Sequence, residues 1–564
     1  MKKILLTIAL ALTCVVSVFA QDPQKKQDND LAGNLAKMIG REGVYAFRGK
    51  AADIYGRFNN PAPVFYIFPD AAMTNDDAAK LVSESGMQEV LDEFAGSAYI
   101  VNPLGAKYDN EKDLEAFIQL LERMRIMFNV KVIGIGNGAT FVNEAIARKA
   151  GSIADIVTIG GKAPKKALAG ESPVPAYITG KGAAKIAANY ISRDKVVLKE
   201  KVGKKSVYVN PDEPLMKVVV NDVDASDFKT VFADAWEDLL SWNYRYNNYN
   251  HTWYNGEKYG EHGDSELEPF LIFDRLGITR NVCTEKLSGT GTYLWYEYLP
   301  ESVKNAPAGT VPLVVLLHGN NNDPRTQAET SGFLPLASRE GFMVAEFEWQ
   351  GNGWEAMGHD GIETVIYALF NKYPQIDRSR VYAEGLSAGA FTATALGIKK
   401  THVFAAVGAQ SGGIMPSFRF GTGMGPVFDE ATLKSEGCDM PYFSISGSAD
   451  DVVPISSPKQ KISSIYYAWQ AYSIINNLPA VGELDFNVDK WFGMKLENRK
   501  RVDTNKGISY EMGDLCKAGV PLVRAVIVDG YAHWNFQPGA EEMWNYFKLF
   551  SRDEKTKKLI YHGK

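Results

Sequence analysis

The feature that most constrains the fold is a repeat inside the chain. Pro312-Leu-Val-Val-Leu-Leu-His318-Gly319 is an unbroken apolar run ending in a polar turn, and Pro63-Val-Phe-Tyr-Ile-Phe-Pro69-Asp70 has the same form. Such runs suit strands buried on both faces of a parallel sheet. After each comes a helical pattern, Asp113-Leu-Glu-Ala-Phe-Ile-Gln-Leu-Leu in one half and Asp360-Gly-Ile-Glu-Thr-Val-Ile-Tyr-Ala-Leu-Phe in the other. A second strand and a glycine turn follow: Val130-Lys-Val-Ile runs into Gly134-Ile-Gly136-Asn-Gly138, and Val381-Tyr-Ala-Glu into Gly385-Leu-Ser387-Ala-Gly389. From Pro63 to Gly136 is 73 residues and from Pro312 to Ser387 is 75, so the halves keep nearly one register. Alternation of strand and helix predicts parallel sheets with helices on both faces, made twice.

The chain is long enough for that. Its 564 residues allow about two to four domains, and the repeat sets two, over 30–240 and 265–564. Between them, residues 241–264 are rich in Tyr and Asn without periodicity and read as a linker packed over a domain surface, an aromatic shelf for a sugar or aryl ligand being the alternative. The net charge of −6 is spread among interspersed charges, which excludes nucleic acid and anionic membranes as natural partners. Lys2 and Lys3, the apolar run Ile4 to Val16 and Val18-Phe19-Ala20 read as a secretory signal peptide over residues 1–20. The expectation is export to the periplasm or beyond, with no transmembrane segment. Cys14 lacks a small-residue lead-in, so a lipid anchor there is not expected. Removing that peptide leaves Cys283, Cys438 and Cys516, of which Cys438 and Cys516 are the better pair. No Cys/His cluster has zinc-ligand spacing, so neither metal nor cofactor is expected.

The chemistry lies in the second half. Gly385-Leu386-Ser387-Ala388-Gly389 between a strand and a helix fits a nucleophile elbow, whose serine hydroxyl is exposed on a strained turn. An acid and a histidine should follow in that order. Pro441-Tyr-Phe-Ser-Ile-Ser446 is a strand opening into Gly447-Ser-Ala-Asp450-Asp451, and Asp450 is preferred to Asp451 as the group that orients an imidazole. Of seven histidines, His533 alone follows the acid in a strand-end loop, after Leu522-Val-Arg-Ala-Val-Ile-Val528. An oxyanion needs donors, expected from the backbone N–H of Ala388 and from the loop at Gly319 and Asn320. The fold expectation is therefore two tandem α/β-hydrolase-like domains. Two insertions, after Gly413 to Met440 and over Ser463 to Leu515, read as substrate walls that the first half lacks.

The first half carries Gly136 in place of the serine and Pro69-Asp70 in place of His318-Gly319. It offers no carboxylate in Gly180-Lys-Gly-Ala183 and no histidine in the segment Val218 to Asp227. It is expected to lack serine-hydrolase chemistry, to pack on the catalytic domain, and to serve as scaffold or binding module.

Four motifs in order, His318-Gly319, Gly385-Leu-Ser387-Ala-Gly389, Gly447-x-x-Asp450-x-x-Val453-Pro454 and Gly530-Tyr-Ala-His533-Trp534, resemble the secreted polyhydroxybutyrate-depolymerase-like esterases, which include feruloyl and acetylxylan esterases. The resemblance covers roughly 250 residues and implies acyl-serine ester hydrolysis of an extracellular polymer or its fragments. Feruloyl or acetyl esters of plant cell-wall polysaccharide are the first expectation, with polyesters behind. Trp349, Trp354 and Trp534 are the candidate walls for an aryl or sugar group. A serine peptidase and an inert carbohydrate binder are the competing classes.

Overall fold

The structure, a computed structural model, describes residues 43–50, 61–123, 129–221, 223, 227–246, 266–287, 291–414, 439–455, 463–504 and 508–563. The expected signal peptide, most of the linker, Cys438 with its expected pairing, and residues 415–438 of the first insertion lie outside them. Among the described residues no helix is long and apolar enough to cross a membrane.

The apolar runs form central strands, as two-sided burial requires. The first sheet contains β1 (Val44–Arg48), β2 (Val64–Phe68), β3 (Ser97–Val101), β4 (Val130–Ile135), β5 (Asp155–Ile159), β6 (Ala176–Thr179), β7 (Val197–Val202), β8 (Lys205–Val209) and β9 (Lys217–Asn221), in the order β1-β3-β2-β4-β5-β6-β9-β8-β7. Pairing is parallel from β3 to β9, with β1 and the β7–β8 hairpin antiparallel at the edges. Helices Lys112–Arg123, Asn137–Glu144 and Ala183–Asp194 cover one face, and Asn75–Glu84, Met87–Phe94 and Phe228–Ala235 the other.

Two short strands follow, β10 (Asn243–Tyr246) and β11 (Glu266–Pro269), paired antiparallel as a ribbon. The second sheet then contains β12 (Ile278–Glu285), β13 (Tyr293–Pro300), β14 (Val311–Leu317), β15 (Met343–Phe347), β16 (Ile376–Leu386), β17 (Ala406–Gln410), β18 (Tyr442–Gly447), β19 (Glu497–Asp503), β20 (Ser509–Lys517) and β21 (Val520–Val528), in the order β12-β13-β15-β14-β16-β17-β18-β21-β20-β19. Without β12, this matches the first sheet strand for strand, parallel run and edge hairpin included. Both sheets have the α/β-hydrolase arrangement.

That correspondence corrects one expectation. The stretch from Ser463 to Leu515 is not all insertion: helix Ser464–Ile475 and the hairpin β19–β20 answer helix Ala183–Asp194 and β7–β8. What the second half adds lies between Ile475 and Glu497, where Leu478, Val481 and Phe492 bury their side chains in the second core.

The ribbon joins the halves. Asn243 Nδ2 donates to the Ala154 carbonyl at 3.0 Å, and Lys131 Nζ donates to the Asn243 carbonyl at 3.0 Å. Arg245 donates to the carbonyls of Ala150 at 3.0 Å and Pro173 at 2.9 Å. Tyr244 instead belongs to the second core, where its hydroxyl accepts from Gln537 Nε2 at 2.9 Å. Phe270, just past β11, packs edge-on to Phe94 of the first half with ring centroids 5.2 Å apart.

Candidate active site

β16 ends at Leu386 and helix Ala388–Lys399 starts one residue later, so Ser387 alone must turn the chain. It does so at φ 52° and ψ −117°, a conformation that costs a residue with a side chain on the order of 1–3 kcal/mol. Neighbouring bonds hold it there. Its N–H donates to the Gln410 carbonyl at 2.9 Å and its own carbonyl accepts from Phe391 N–H at 3.0 Å. The flanking glycines are dictated by contact, since a Cβ on Gly389 would sit on the Leu317 carbonyl and one on Gly385 against the Gly389 backbone. Ser387 is half-buried while the rest of its turn is buried.

Asp450 lies in the loop after β18 and His533 in the loop after β21, both on the carboxyl edge that carries the elbow. The structure brings them together: His533 Nδ1 donates to Asp450 Oδ2 at 2.9 Å. The other oxygen, Oδ1, accepts the N–H groups of Val452 at 3.0 Å and Val453 at 2.8 Å, so the carboxylate is fixed before the imidazole meets it. The Asp450 side chain is fully buried and that of His533 is 13% exposed, so one is shielded and the other open on one side. The two loops are tied by Ala449 N–H to the Tyr531 carbonyl at 3.0 Å and Gly530 N–H to Ser448 Oγ at 2.8 Å. Asp451, the alternative acid, is exposed.

Ala388 opens its helix, so its N–H has no acceptor within that helix. In the facing loop, Gln350 makes two bonds: its Oε1 accepts Asn321 N–H at 2.7 Å and its Nε2 donates to Asn320 Oδ1 at 2.9 Å. Asn321 N–H is thus spent on the loop itself, which leaves Gly319 and Asn320 as the backbone candidates for an oxyanion. His318 is buried beneath, Nδ1 donating to the Gly319 carbonyl at 2.8 Å.

The three tryptophans divide. Trp349 is 1% exposed and donates Nε1–H to the His318 carbonyl at 3.0 Å, so it anchors the loop after β14 and is corrected from substrate wall to foundation. Trp534 is also buried, in the second core. Trp354 alone, at 37% exposure, presents a broad surface.

The first half keeps the elbow and changes what it holds. Gly136 adopts φ 55° and ψ −110°, and its N–H donates to the Ile159 carbonyl at 2.9 Å, matching Ser387. Asp70, at the position of Gly319, fills the space: its Oδ1 accepts Asn137 N–H at 2.7 Å, the N–H equivalent to that of Ala388. A Cβ on Gly136 would collide with the Asp70 carboxylate.

Sequence reading missed a polar layer under the elbow, built of Glu384, Gln327, Gln410 and Asn535, all buried. The available signal was a glutamate within the apolar run from Val381 to Leu386, where the first half has isoleucine, Ile133.

Residues 295–421 match the family described as Esterase PHB depolymerase. No curated protein matches the chain. Among solved structures, it is similar to an acetyl xylan esterase from Aspergillus awamori at 15% identity, covering 48% of this chain and 99% of that one with a TM-score of 0.35. It is also similar to a feruloyl esterase module from Clostridium thermocellum complexed with sinapinate, at 15% identity, 49% and 87% coverage and TM-score 0.31. An S-formylglutathione hydrolase from Agrobacterium tumefaciens gives 13%, 48%, 95% and 0.32. The family match takes in the elbow at Ser387, and with the acid–histidine pair on the same sheet edge it supports a serine carboxylic ester hydrolase in the second half.

Proposed function

We propose that the second half cleaves esters through an acyl-serine intermediate, with Ser387 as nucleophile, His533 as general base and Asp450 as the carboxylate that orients it. The carrying observation is the 2.9 Å bond from His533 Nδ1 to a fully buried Asp450 carboxylate on the edge where Ser387 is held in the elbow. Because Nδ1 carries the proton, Nε2 is the basic nitrogen that takes the Ser387 proton as Oγ attacks the ester carbonyl. The tetrahedral oxyanion is met by the N–H of Ala388 and of Gly319 or Asn320. As it collapses, the alkoxide leaves with the proton from His533, and a water activated by the same nitrogen then releases the acid and frees the serine.

The substrate we infer is an acetyl or feruloyl ester of plant cell-wall polysaccharide, met after export to the periplasm or the extracellular space. The motif set supports it, and exposed Trp354 is the surface on which a ring would lie. A polyester is the second reading, favoured by the family description. The first half, with Asp70 on its Asn137 N–H and no serine at its elbow, acts as scaffold or binding module.

Hydrolysis of p-nitrophenyl acetate and methyl ferulate by native protein, Ser387→Ala and Asp450→Asn tests this. Activity should vanish in Ser387→Ala and fall about 1,000-fold or more in Asp450→Asn. Undiminished activity in Ser387→Ala would overturn the assignment. The acetate to ferulate ratio chooses the acyl group, and no cleavage of either by native protein would favour a peptidase or a carbohydrate binder.

A further inference from the structure

The two sheets are an internal control for one another, because one fold is built twice in one chain. Leu316 pairs with Glu346 on one side and Glu384 on the other, as Ile67 pairs with Ile100 and Ile133. Ser387 N–H donates to the carbonyl of Gln410, as Gly136 N–H does to that of Ile159. So Glu346, Glu384 and Gln410 occupy the positions of Ile100, Ile133 and Ile159. The three isoleucines lie in one apolar cluster, whereas the two glutamates and the glutamine are just as buried. Burying polar groups costs stability even when they are paired. Isoleucine in the first half shows that the fold does not require them, so the second half keeps them for another reason.

The connections of Glu384 and Gln410 indicate the reason. Glu384 accepts both Gln327 Nε2, at 2.8 and 2.9 Å, and Gln410 Nε2, at 3.0 Å. Gln410 Oε1 in turn accepts the backbone N–H of Phe536 at 3.0 Å. Gln327 and Asn535 exchange amide bonds at 3.0 and 3.1 Å, and Asn535 also donates to Thr330 Oγ1 at 3.0 Å. Gln327 lies in helix Arg325–Thr330, directly after the loop of Gly319 and Asn320, while Asn535 and Phe536 end the His533 loop. One carboxyl three residues before the serine therefore ties three segments together: the elbow strand, the oxyanion-side helix and the histidine loop.

We infer that Glu384, acting through Gln327 and Gln410, is a positioning residue that holds the His533 loop and the loop after β14 in register with Ser387. This rests on the roles proposed above for Ser387 and His533. The layer does not touch substrate. It fixes the backbone that carries the imidazole, and displacement of such a group by about 1 Å costs on the order of 100-fold in rate.

The test uses the full-length protein with Glu384→Ile, which copies Ile133, together with Glu384→Gln and Gln327→Leu. Two signals are read: kcat and KM on p-nitrophenyl acetate, and the proton resonance of the His533 Nδ1–H bonded to Asp450, assigned by its loss in His533→Ala. Glu384→Ile and Gln327→Leu should lower kcat by about 10- to 100-fold with KM within about threefold, and should broaden or abolish the resonance. Glu384→Gln, which keeps an oxygen for both amides, should recover most of both. A folded Glu384→Ile with native kcat and a sharp resonance would overturn the inference. Should Glu384→Ile not fold, Gln327→Leu decides, because it leaves Glu384 paired with Gln410. If native protein cleaves no ester, the proposed function fails but the resonance still decides: its loss in the variants supports positioning and its persistence overturns it.

Discussion

Glu384 and Glu346 are fully buried carboxyls, and burial pushes Glu384 up to about 7. Glu346 is driven well above the carboxylate range by burial first and by the charge of Glu384 second. A carboxyl raised in the folded state keeps a proton that the unfolded chain has released. Its contribution to stability is therefore complete below the unfolded value, about 4.3, and is lost as pH rises through the folded one. For Glu384 that amounts to at most about 4 kcal/mol, spread between roughly pH 4 and 7. Denaturant midpoints measured from pH 4 to 8.5 should fall between about pH 5 and 7 in native protein and fall less in Glu384→Gln. Identical profiles would show that ionising Glu384 is not resisted by its surroundings. Asp450 lies in a different environment, with two backbone N–H groups and the imidazole supporting its charge.

At the level of the strand-turn-helix element, the two elbows separate what the backbone requires from what the chemistry requires. Both put a residue at φ near +50°, both bond its N–H to the next strand, and both need glycines two residues away on either side. The backbone conformation is thus a property of the turn, and the serine, with its strain, is an addition to it. Installing serine in the first half meets a second obstacle, the Asp70 carboxylate. Gly136→Ser, made on a Ser387→Ala background, is expected to stay inactive and to lower stability by about 1–3 kcal/mol, partly relieved by Asp70→Gly. Thermal unfolding and p-nitrophenyl acetate turnover check both parts. Turnover by Gly136→Ser on the Ser387→Ala background would refute the view that the first half lacks a base as well as a nucleophile.

Across the whole molecule, the ribbon is where the halves become one object. Lys131 and Asp155 form a fully buried pair at 2.5 Å, and burial biases each toward its neutral form against their mutual attraction. Lys131 also holds the Asn243 carbonyl, and two residues on, Arg245 caps carbonyls of the first half while Tyr244 reaches Gln537 of the second. Arg245→Ala removes a buried cation from three carbonyls, those of Ala150, Gly151 and Pro173. It should cost about 2–4 kcal/mol. Gln537 lies four residues past His533, so esterase activity should fall at temperatures where native protein keeps it. Activity and melting curves recorded together would show this, and a variant with both unchanged would mean that the ribbon contributes no coupling.

How much could be read in advance follows the range of each interaction. The repeat, the central strands, the elbow and the order of serine, acid and histidine were legible because each rests on local pattern: unbroken apolar runs, glycines where a turn forces backbones together, and motif spacing. The same local reading mistook the counterpart hairpin β19–β20 for insertion, because its alternating, charged edge strands do not resemble a buried run. It also took Trp349 for a substrate wall. Bulk and loop position do not reveal that an indole N–H has found the His318 carbonyl. The sequence by itself determined two copies of one sheet and which copy carries a serine at its elbow. Tertiary structure alone decided that Asp70 fills the elbow of Gly136, that Gln350 holds the loop of Asn320, and that Glu384 links to the His533 loop. Those contacts join residues far apart in the chain, and only closing the sheet brings them within hydrogen-bond reach.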